Sequence, residues 1–381
     1  MEHNELARSE IVSMTHMSFP TVSKNVDFLL SRNILLERGE SESTASGLGR
    51  KRKKLAFNAS AYTALAVHFE GQVVETATID LSGKVLAYES HQLPDLRDPL
   101  SQHALGKTLR RQLESAHSPV LGVGFAFPAD IDPETNEIVS FHALGIDRPV
   151  AINDVLSPLF SEFKANAYCG NDVNLAAEGE MLSQKKKGQT CNLCYLSLGS
   201  GFGSGIILNG KLLNGATYKA GEIGNTLVRP SIDTKGHFET QLQPLEDFIN
   251  VKAILARFGV NLIHENNLQD SMKKMIIDFI LPFLIMAVVN MTFLFDIQEY
   301  ILSGVIPKTL GPTLVCRLEQ SVNRILEGRG RTIHVTSPSS NYSTLIGCAS
   351  LVFEQRIVDG LNKEVTHNHV NAIDYRKRSQ L

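Results

Sequence analysis

The chain has 381 residues, 43% hydrophobic and 20% charged, with a formal net charge of −3. That length allows two or three domains with a sizeable core, and the charge balance excludes a protein that coats nucleic acid with its whole surface. Five cysteines do not make a disulfide framework in a chain this long, and no basic-then-apolar leader is read, so the expected compartment is the cytoplasm.

The charge is uneven along the chain. Residues 1–58 carry 9 Lys/Arg against 7 Asp/Glu, whereas the remainder is acidic, 28 against 33. Within this basic head, Arg8 to Leu36 reads as two short helices around a turn at His16–Met17. Ile11 and Met14 make one apolar stripe, and Val22, Val26, Leu29 and Leu30 follow at helical spacing. Ser18 is placed to cap the second helix, with Pro20 in its first turn where a missing N–H does no harm. A hairpin with a Gly/Ser-rich tip follows, and its return strand opens on five basic residues, Arg50 to Lys54. Helix, turn, helix and basic hairpin describe a winged helix-turn-helix, so operator DNA is an expected partner. The expected contacts are Ser18, Phe19, Thr21, Ser23, Lys24 and Asn25 on the second helix, with Arg50, Lys51 and Arg52 on the wing.

From Ala61 the pattern changes to strands and helices. "YTALAVHFEG" and "VVETATIDLSGKVLAYES" read as strand, strand, a turn at Ser82–Gly83, and strand; "VLGVGFAFPADID" is a buried strand running into a loop. Residues 151–164 read as helical, "FKANAYCGNDV" as a strand with a polar turn, and "NLAAEGEML" as a helix. "TCNLCYLSLGSGFGSGIILNGKLL" is a glycine-interrupted hairpin of the kind that can cradle phosphate on backbone N–H groups. Helices over 243–293, the strand "EYILSGV", helices near 309–327, the strand "TIHVTSP" and a closing helix complete the chain. Phe279 to Phe295 lacks charge for seventeen residues, a borderline length for a membrane span. Pro282 and Asn290 within it, and Asp278 and Asp296 abutting it, favour a buried core helix, and no membrane contact is expected. Two strand-rich blocks each followed by helices give two α/β lobes.

These residues resemble the ROK family (repressors, open reading frames and sugar kinases), and more closely its repressor branch, which includes xylose and N-acetylglucosamine repressors. The resemblance is carried by "RSEIVSMTHMSFPTVSKNV", "IDLSGKVL", "GVGFAFPADIDPETNEI", "GNDVNLAAEGE" and "LSLGSGFGSGIILNGKLLNGATYKAGEIGN". It implies a fold in the α/β class, an N-terminal winged helix-turn-helix followed by a two-lobed actin-like (ribonuclease-H-like) body. The expected domains are 1–58 for the DNA-binding head, 59–175 for the first lobe and 176–381 for the second.

The departures from the family pattern bear on function. Family kinases open the first lobe with an Asp-x-Gly-Gly-Thr turn that receives nucleotide phosphates and helps hold Mg²⁺. Here the stretch is "HFEGQ": His68 stands for the Asp, Glu70 for a Gly and Gln72 for the Thr. Losing the Asp removes a hard oxygen ligand. A carboxylate at Glu70 repels phosphate by on the order of a few kcal/mol in a partly dehydrated site. The glycine hairpin is then better explained by tight turns and close packing. The kinases' zinc module is also missing: its His is Asn225, residues 226–245 hold no cysteine, and His237 is a lone candidate. Cys191 and Cys194 lie three apart on one strand and face opposite sides, so they do not chelate together. No metal and no cofactor are expected.

What remains is the sugar-facing set that the resemblance implies: Asn171, Asp172, Glu222, Asn225 and Glu246, acceptor-rich groups that suit a polyol. The family's Asn after "EIVSF" is Ala143 here, beside His142, so an altered pocket for a modified sugar is expected. The reading is a non-enzymatic, sugar-sensing transcriptional repressor acting as a homodimer or dimer of dimers. The alternatives are a residual ATP-dependent sugar kinase and a ligand-free dimerising scaffold. In the family a further helix precedes the two found here, and "MEHNELA" is too short to form it. One apolar side of Ile11, Met14, Val22 and Leu29 is therefore expected to be open, to be covered by sequence upstream or by a second subunit.

Overall fold

The computed structural model describes residues 5–40, 53–92, 98–132, 134–141, 146, 148–156, 166–184, 192–228, 243–263, 265 and 267–358. The chain divides into two compact units. One comprises Met1–Phe125, Ile152–Tyr168 and Cys348–Leu381, and the other Ala126–Ala151 and Cys169–Gly347. These units interleave in sequence, unlike the contiguous blocks 1–58, 59–175 and 176–381. Hydrophobic periodicity reports which face of a strand is buried, not which strands share a sheet, so the crossings leave no mark in the pattern.

The first unit opens with strand β1 (Leu6–Ala7), helices α1 (Arg8–Thr15) and α2 (Phe19–Ser31), and strands β2 (Leu35–Glu40) and β3 (Lys53–Phe57). His16 ends α1 in a left-handed conformation, and Ser18 Oγ accepts the Thr21 N–H at 3.3 Å, capping α2. Arg8 joins the helices by donating to Ser23 Oγ and Asp27 Oδ1, each at 2.7 Å. Strands β1, β3 and β2 form a small sheet in that order. Its Leu55 meets Val22 and Val26 to make the buried centre of this part. The expected open side is thus partly closed. Leu6–Ala7 pairs with Lys54–Leu55, a contribution that a search for helices overlooks, and Val22 is buried while Met14 remains 68% exposed.

Strands β4 (Thr63–Glu70), β5 (Val73–Asp80) and β6 (Val85–Gln92) form an antiparallel meander, followed by helix α3 (Pro99–Ser115) and strand β7 (Val120–Phe127). Helix α3 was not among the expected elements. Its signals are the Asp98 cap, Pro99 at the first position and the buried Leu105 and Leu109, masked by an otherwise polar sequence.

Beyond β7, the strands β8 (Asp130–Asp132), β9 (Glu137–Ser140) and β10 (Val150–Ala151) form a three-stranded antiparallel sheet where a loop was expected. The one-turn helix α4 (Ile152–Val155) is the described part of the expected helix over 151–164. Strand β11 (Ala167–Asn171) completes a five-stranded sheet of order β11-β7-β4-β5-β6 and runs directly into helix α5 (Asp172–Gln184).

The glycine-rich hairpin is β12 (Leu193–Leu198) and β13 (Phe202–Leu208), extended by β14 (Lys211–Leu212). The short strands β15 (Leu227–Val228) and β16 (Gln243–Pro244) pair, and helices α6 (Glu246–Ile249), α7 (Val251–Phe258) and α8 (Asp270–Phe295) follow. Strand β17 (Glu299–Ser303), helices α9 (Val305–Leu310) and α10 (Pro312–Leu326), strand β18 (His334–Thr336) and helix α11 (Ser343–Phe353) end the described chain. The second large sheet has the order β14-β13-β12-β17-β18, with β12, β17 and β18 parallel. Helix α8 is long and apolar enough to cross a membrane, with a mean hydropathy of 2.2 over its most apolar window, half of which is buried. Its Ile277, Ile280, Leu284 and Val288 belong to the core of this unit with Tyr300 and Leu314.

The glycines of the hairpin are explained by packing. A Cβ on Gly205 would stand 2.7 Å from Ala177 Cβ and 2.8 Å from the Val173 carbonyl, both on α5. Helix α5 therefore lies on β13 at a distance that a side chain forbids. Gly205→Ala should lower stability by about 1–3 kcal/mol in urea unfolding, since neither neighbour is the free end of a flexible side chain. Gly39→Ala, which meets nothing within 4 Å, should stay within about 0.5 kcal/mol of the parent. Equal effects of the two substitutions would refute the packing account.

Candidate functional site

The expected DNA-contacting residues occupy one end of α2. Ser18, Phe19, Thr21 and Lys24 are exposed, Phe19 by 55%, whereas Ser23 and Asn25 are half-buried. Ser23 accepts a hydrogen bond from Arg8 and so is partly committed inside the protein. Arg50, Lys51 and Arg52 lie outside the described residues. At the start of β3, Lys53 pairs with Glu37 and Lys54 stands 3.6 Å from Glu5.

The residues expected to face a sugar lie in or near a pocket in the second unit. Its walls are Ala129, Asp130 and Ile131 at β8, Asn171, Val173 and Asn174 at the start of α5, Gly203 and Ser204 on β13, and Tyr218, Ala220 and Glu222. The last three lie on the segment after β14, which Gly221 holds against the sheet. Its φ is +97°, and a Cβ there would stand 2.2 Å from the Ser204 carbonyl. Ser204 Oγ donates to the Gly221 carbonyl at 2.6 Å, fixing the position from which Glu222 projects.

Each expected residue has a definite place. Asn171 is the cap of α5: its Oδ1 accepts the N–H groups of Val173 and Asn174 at 3.1 and 3.0 Å, and its Nδ2 donates to the Ala129 carbonyl at 3.2 Å. Asp172, the first residue of α5, accepts the Val173 N–H at 2.9 Å and is not among the pocket walls. Glu222 stands at the exposed rim, and the Asn225 amide donates to its Oε2 at 3.0 Å. Glu246 opens α6 elsewhere on the hairpin, where its Oε2 accepts the Phe202 N–H at 3.3 Å and limits the space at Gly201 and Gly224. The pocket thus unites Asn171 with Glu222 and attaches Asn225, while Asp172 and Glu246 flank it.

Sequence reasoning missed Asp130, Lys219 and Tyr218. Asp130 Oδ2 accepts the Lys219 ammonium and the Ser140 hydroxyl, both at 2.7 Å. Tyr218 bonds to the Glu134 carboxylate, which holds its phenol up at about 12. The clue lay in "PADID" and "YKAGE", two segments far apart in sequence whose opposite charges only the fold brings together.

In the first unit, His68 is buried and lies directly across the sheet from Glu75, with Nδ1 3.0 Å from Glu75 Oε2. The other Glu75 oxygen accepts the Tyr88 hydroxyl at 2.6 Å. The imidazole is therefore turned into a cross-strand pair, and β4 and β5 close through a turn at Gly71–Gln72. Among the described residues no group of three or more His, Cys, Asp or Glu side chains is arranged to hold a metal. Burial pushes the Cys194 thiol up to about 12; Cys191, His142, Ala143 and His237 lie outside the described residues.

Comparison with known proteins bears on this arrangement. A ROK family model matches residues 64–355. The chain is 24% identical over 232 residues to the xylose repressor of Bacillus spizizenii, covering 60% of this chain and 58% of that protein. It is 30% identical over 173 residues to the glucokinase of Halalkalibacterium halodurans, covering 44% of this chain and 50% of that one. The matched region thus spans 58% and 50% of the lengths of these relatives. The crystal structure of a ROK family transcriptional regulator, a homologue of the E. coli MLC protein, superposes with a TM-score of 0.70 at 18% identity and covers 93% of each chain. That likeness carries the fold, a mixed helix and strand actin-like architecture.

The pocket's electrostatics give a pH-dependent expectation. Loss of surrounding water, then the charge of Asp130, raise the Glu222 carboxyl above the ordinary carboxylate range, against the hydrogen bond from Asn225. With its folded pKa above the unfolded one, ionised Glu222 costs stability at neutral pH, and that cost disappears as pH falls through the folded value. Glu222→Gln should therefore raise Tm at neutral pH. The gain should shrink in acid and in high salt, because the group sits at the rim. A variant that melts below the parent at neutral pH would contradict this.

Proposed function

The chain belongs to the ROK family, and we propose that it is a DNA-binding transcriptional repressor whose kinase-like body senses a sugar or sugar-like effector. The observation that carries this reading is the fate of position 68. Where family kinases place a phosphate- and Mg²⁺-facing Asp, this chain has a buried His committed to Glu75. The sugar-facing set is nevertheless retained at Asn171, Asp172, Glu222 and Glu246. A body that keeps acceptors for hydroxyl groups and has His68 in place of the kinases' Mg²⁺-binding Asp is suited to bind a sugar without phosphorylating it.

Residues 1–58 are read as a winged helix-turn-helix, with β2 and β3 as the wing and α2 as the recognition helix. The exposed Ser18, Phe19, Thr21 and Lys24 at the start of α2 are the side chains that reach base edges and phosphates. Arg50, Lys51 and Arg52 add phosphate contacts from the wing. The xylose repressor relative and the ROK regulator structure support this reading. A homodimer, or a dimer of dimers, on paired operator half-sites completes it.

The glucokinase relative favours one second reading, a residual sugar kinase, because Asp172 remains where the kinases carry their base. Glu70 and Gln72 beside His68 weigh against it.

The test uses an operator selected from random duplex DNA and a panel of sugars. One sugar should change operator affinity by about 5- to 150-fold, the range of an ordinary coupling energy. Asp172→Ala should abolish that change and keep sugar-free affinity within about twofold, well below 1 kcal/mol. If the variant responds as the parent does, Asp172 does not belong to the sensing site.

A further inference from the structure

The pocket at β8 and β13 is small and acidic, and both properties bear on what it takes. Its enclosed volume of about 30 Å³ admits a group the size of one or two waters, not a sugar ring. A ligand therefore presents a single substituent to it. Among the described residues the charged side chains in its walls are two carboxylates, Asp130 and Glu222, and Glu246 acts on Glu222 with the same sign.

Among the described residues the Lys219 ammonium, 2.7 Å from Asp130 Oδ2, is the cation that opposes them. It is 44% exposed, on the segment that leads into Glu222. Glu222 holds the Asn225 amide and forms no ion pair among the described residues. A phosphate or carboxylate substituent would meet two like charges. A neutral hydroxyl satisfies one lone pair and leaves the charge uncompensated. An ammonium is water-sized, brings three donors, and supplies the missing charge. The protein's own lysine already places such a group on Asp130.

We propose that this pocket selects a polyhydroxylated primary amine, an amino sugar or amino polyol, whose ammonium sits between Asp130 and Glu222 and displaces Lys219 from Asp130. The proposal rests on the reading of this pocket as the effector site. Lys219 is then a built-in competitor that sets the ligand concentration needed for a response, and Asp130 and Glu222 are the residues that determine specificity.

Titration calorimetry on the full chain tests it. The ligands are glucosamine, galactosamine, mannosamine and 1-amino-1-deoxyglucitol, each beside its neutral counterpart glucose, galactose, mannose or glucitol. At least one amine should bind about tenfold or more tightly than its counterpart. The advantage should vanish above the amine's pKa, where the ligand is neutral. Lys219→Met, whose melting curve is checked beside the parent's, should tighten the amine about threefold or more, and by more than it tightens the neutral sugar. Glu222→Gln should narrow the gap. Equal binding of amine and neutral counterpart overturns the ligand class while the effector reading stands, as does an amine weakened by Lys219→Met. Failure of every amine and every neutral sugar to bind overturns both.

Discussion

The close approach of α5 to its neighbours is the constraint on which the second unit is built. On one side it rests on β13, where Gly205 leaves room for Ala177 and the Val173 carbonyl. On another it meets α11, where a Cβ on Gly179 would stand 1.9 Å from the Ser343 carbonyl and one on Gly347 equally close to that of Leu175. The fully buried Glu180 ties the same helix to the segment before α11, accepting the Ser339 N–H and the Ser343 hydroxyl. A buried carboxylate is tolerable because these donors replace its lost water. With α5 so held, its N-terminus is fixed, and Asn171, Val173 and Asn174 form one wall of the pocket. The glycines that suggest phosphate binding in the sequence thus shape the pocket through packing.

The charge distribution bears on the choice between sensing and phosphoryl transfer. A kinase needs acidic ligands where the metal sits and few negative charges where phosphate accumulates. Here the first unit spends Glu75 on His68 and Tyr88. In the second unit Asp130 and Glu222 line one pocket, where Lys219 pairs with Asp130. Such a distribution suits recognition by hydrogen bonds and charge.

Much of this was legible in the sequence, and the omissions have physical causes. Strands β4 to β6, the glycine hairpin and the α2 cap at Ser18 follow from alternation and capping chemistry, which are local. Helix α8 follows from its uninterrupted apolar run. The helix α3 was missed because two buried leucines carry its inner face amid polar residues. The interleaving of the two units was hidden because it depends on pairings between distant strands. At the pocket, Asn171 and Glu222 were found through family motifs. The pair of Asp130 with Lys219 was not, because 89 positions separate residues that meet only in the folded chain. Asn171 also proved to be the cap of α5.

The most direct measurement of the central claim is sugar-dependent ADP release from ATP and Mg²⁺ by the full chain, read beside sugar-dependent operator affinity in the same samples. A kinase body converted to a sensor predicts a sugar that alters operator affinity while ADP release stays at the protein-free rate for every sugar. Sugar-dependent turnover near the roughly 1–100 s⁻¹ typical of kinases would contradict it.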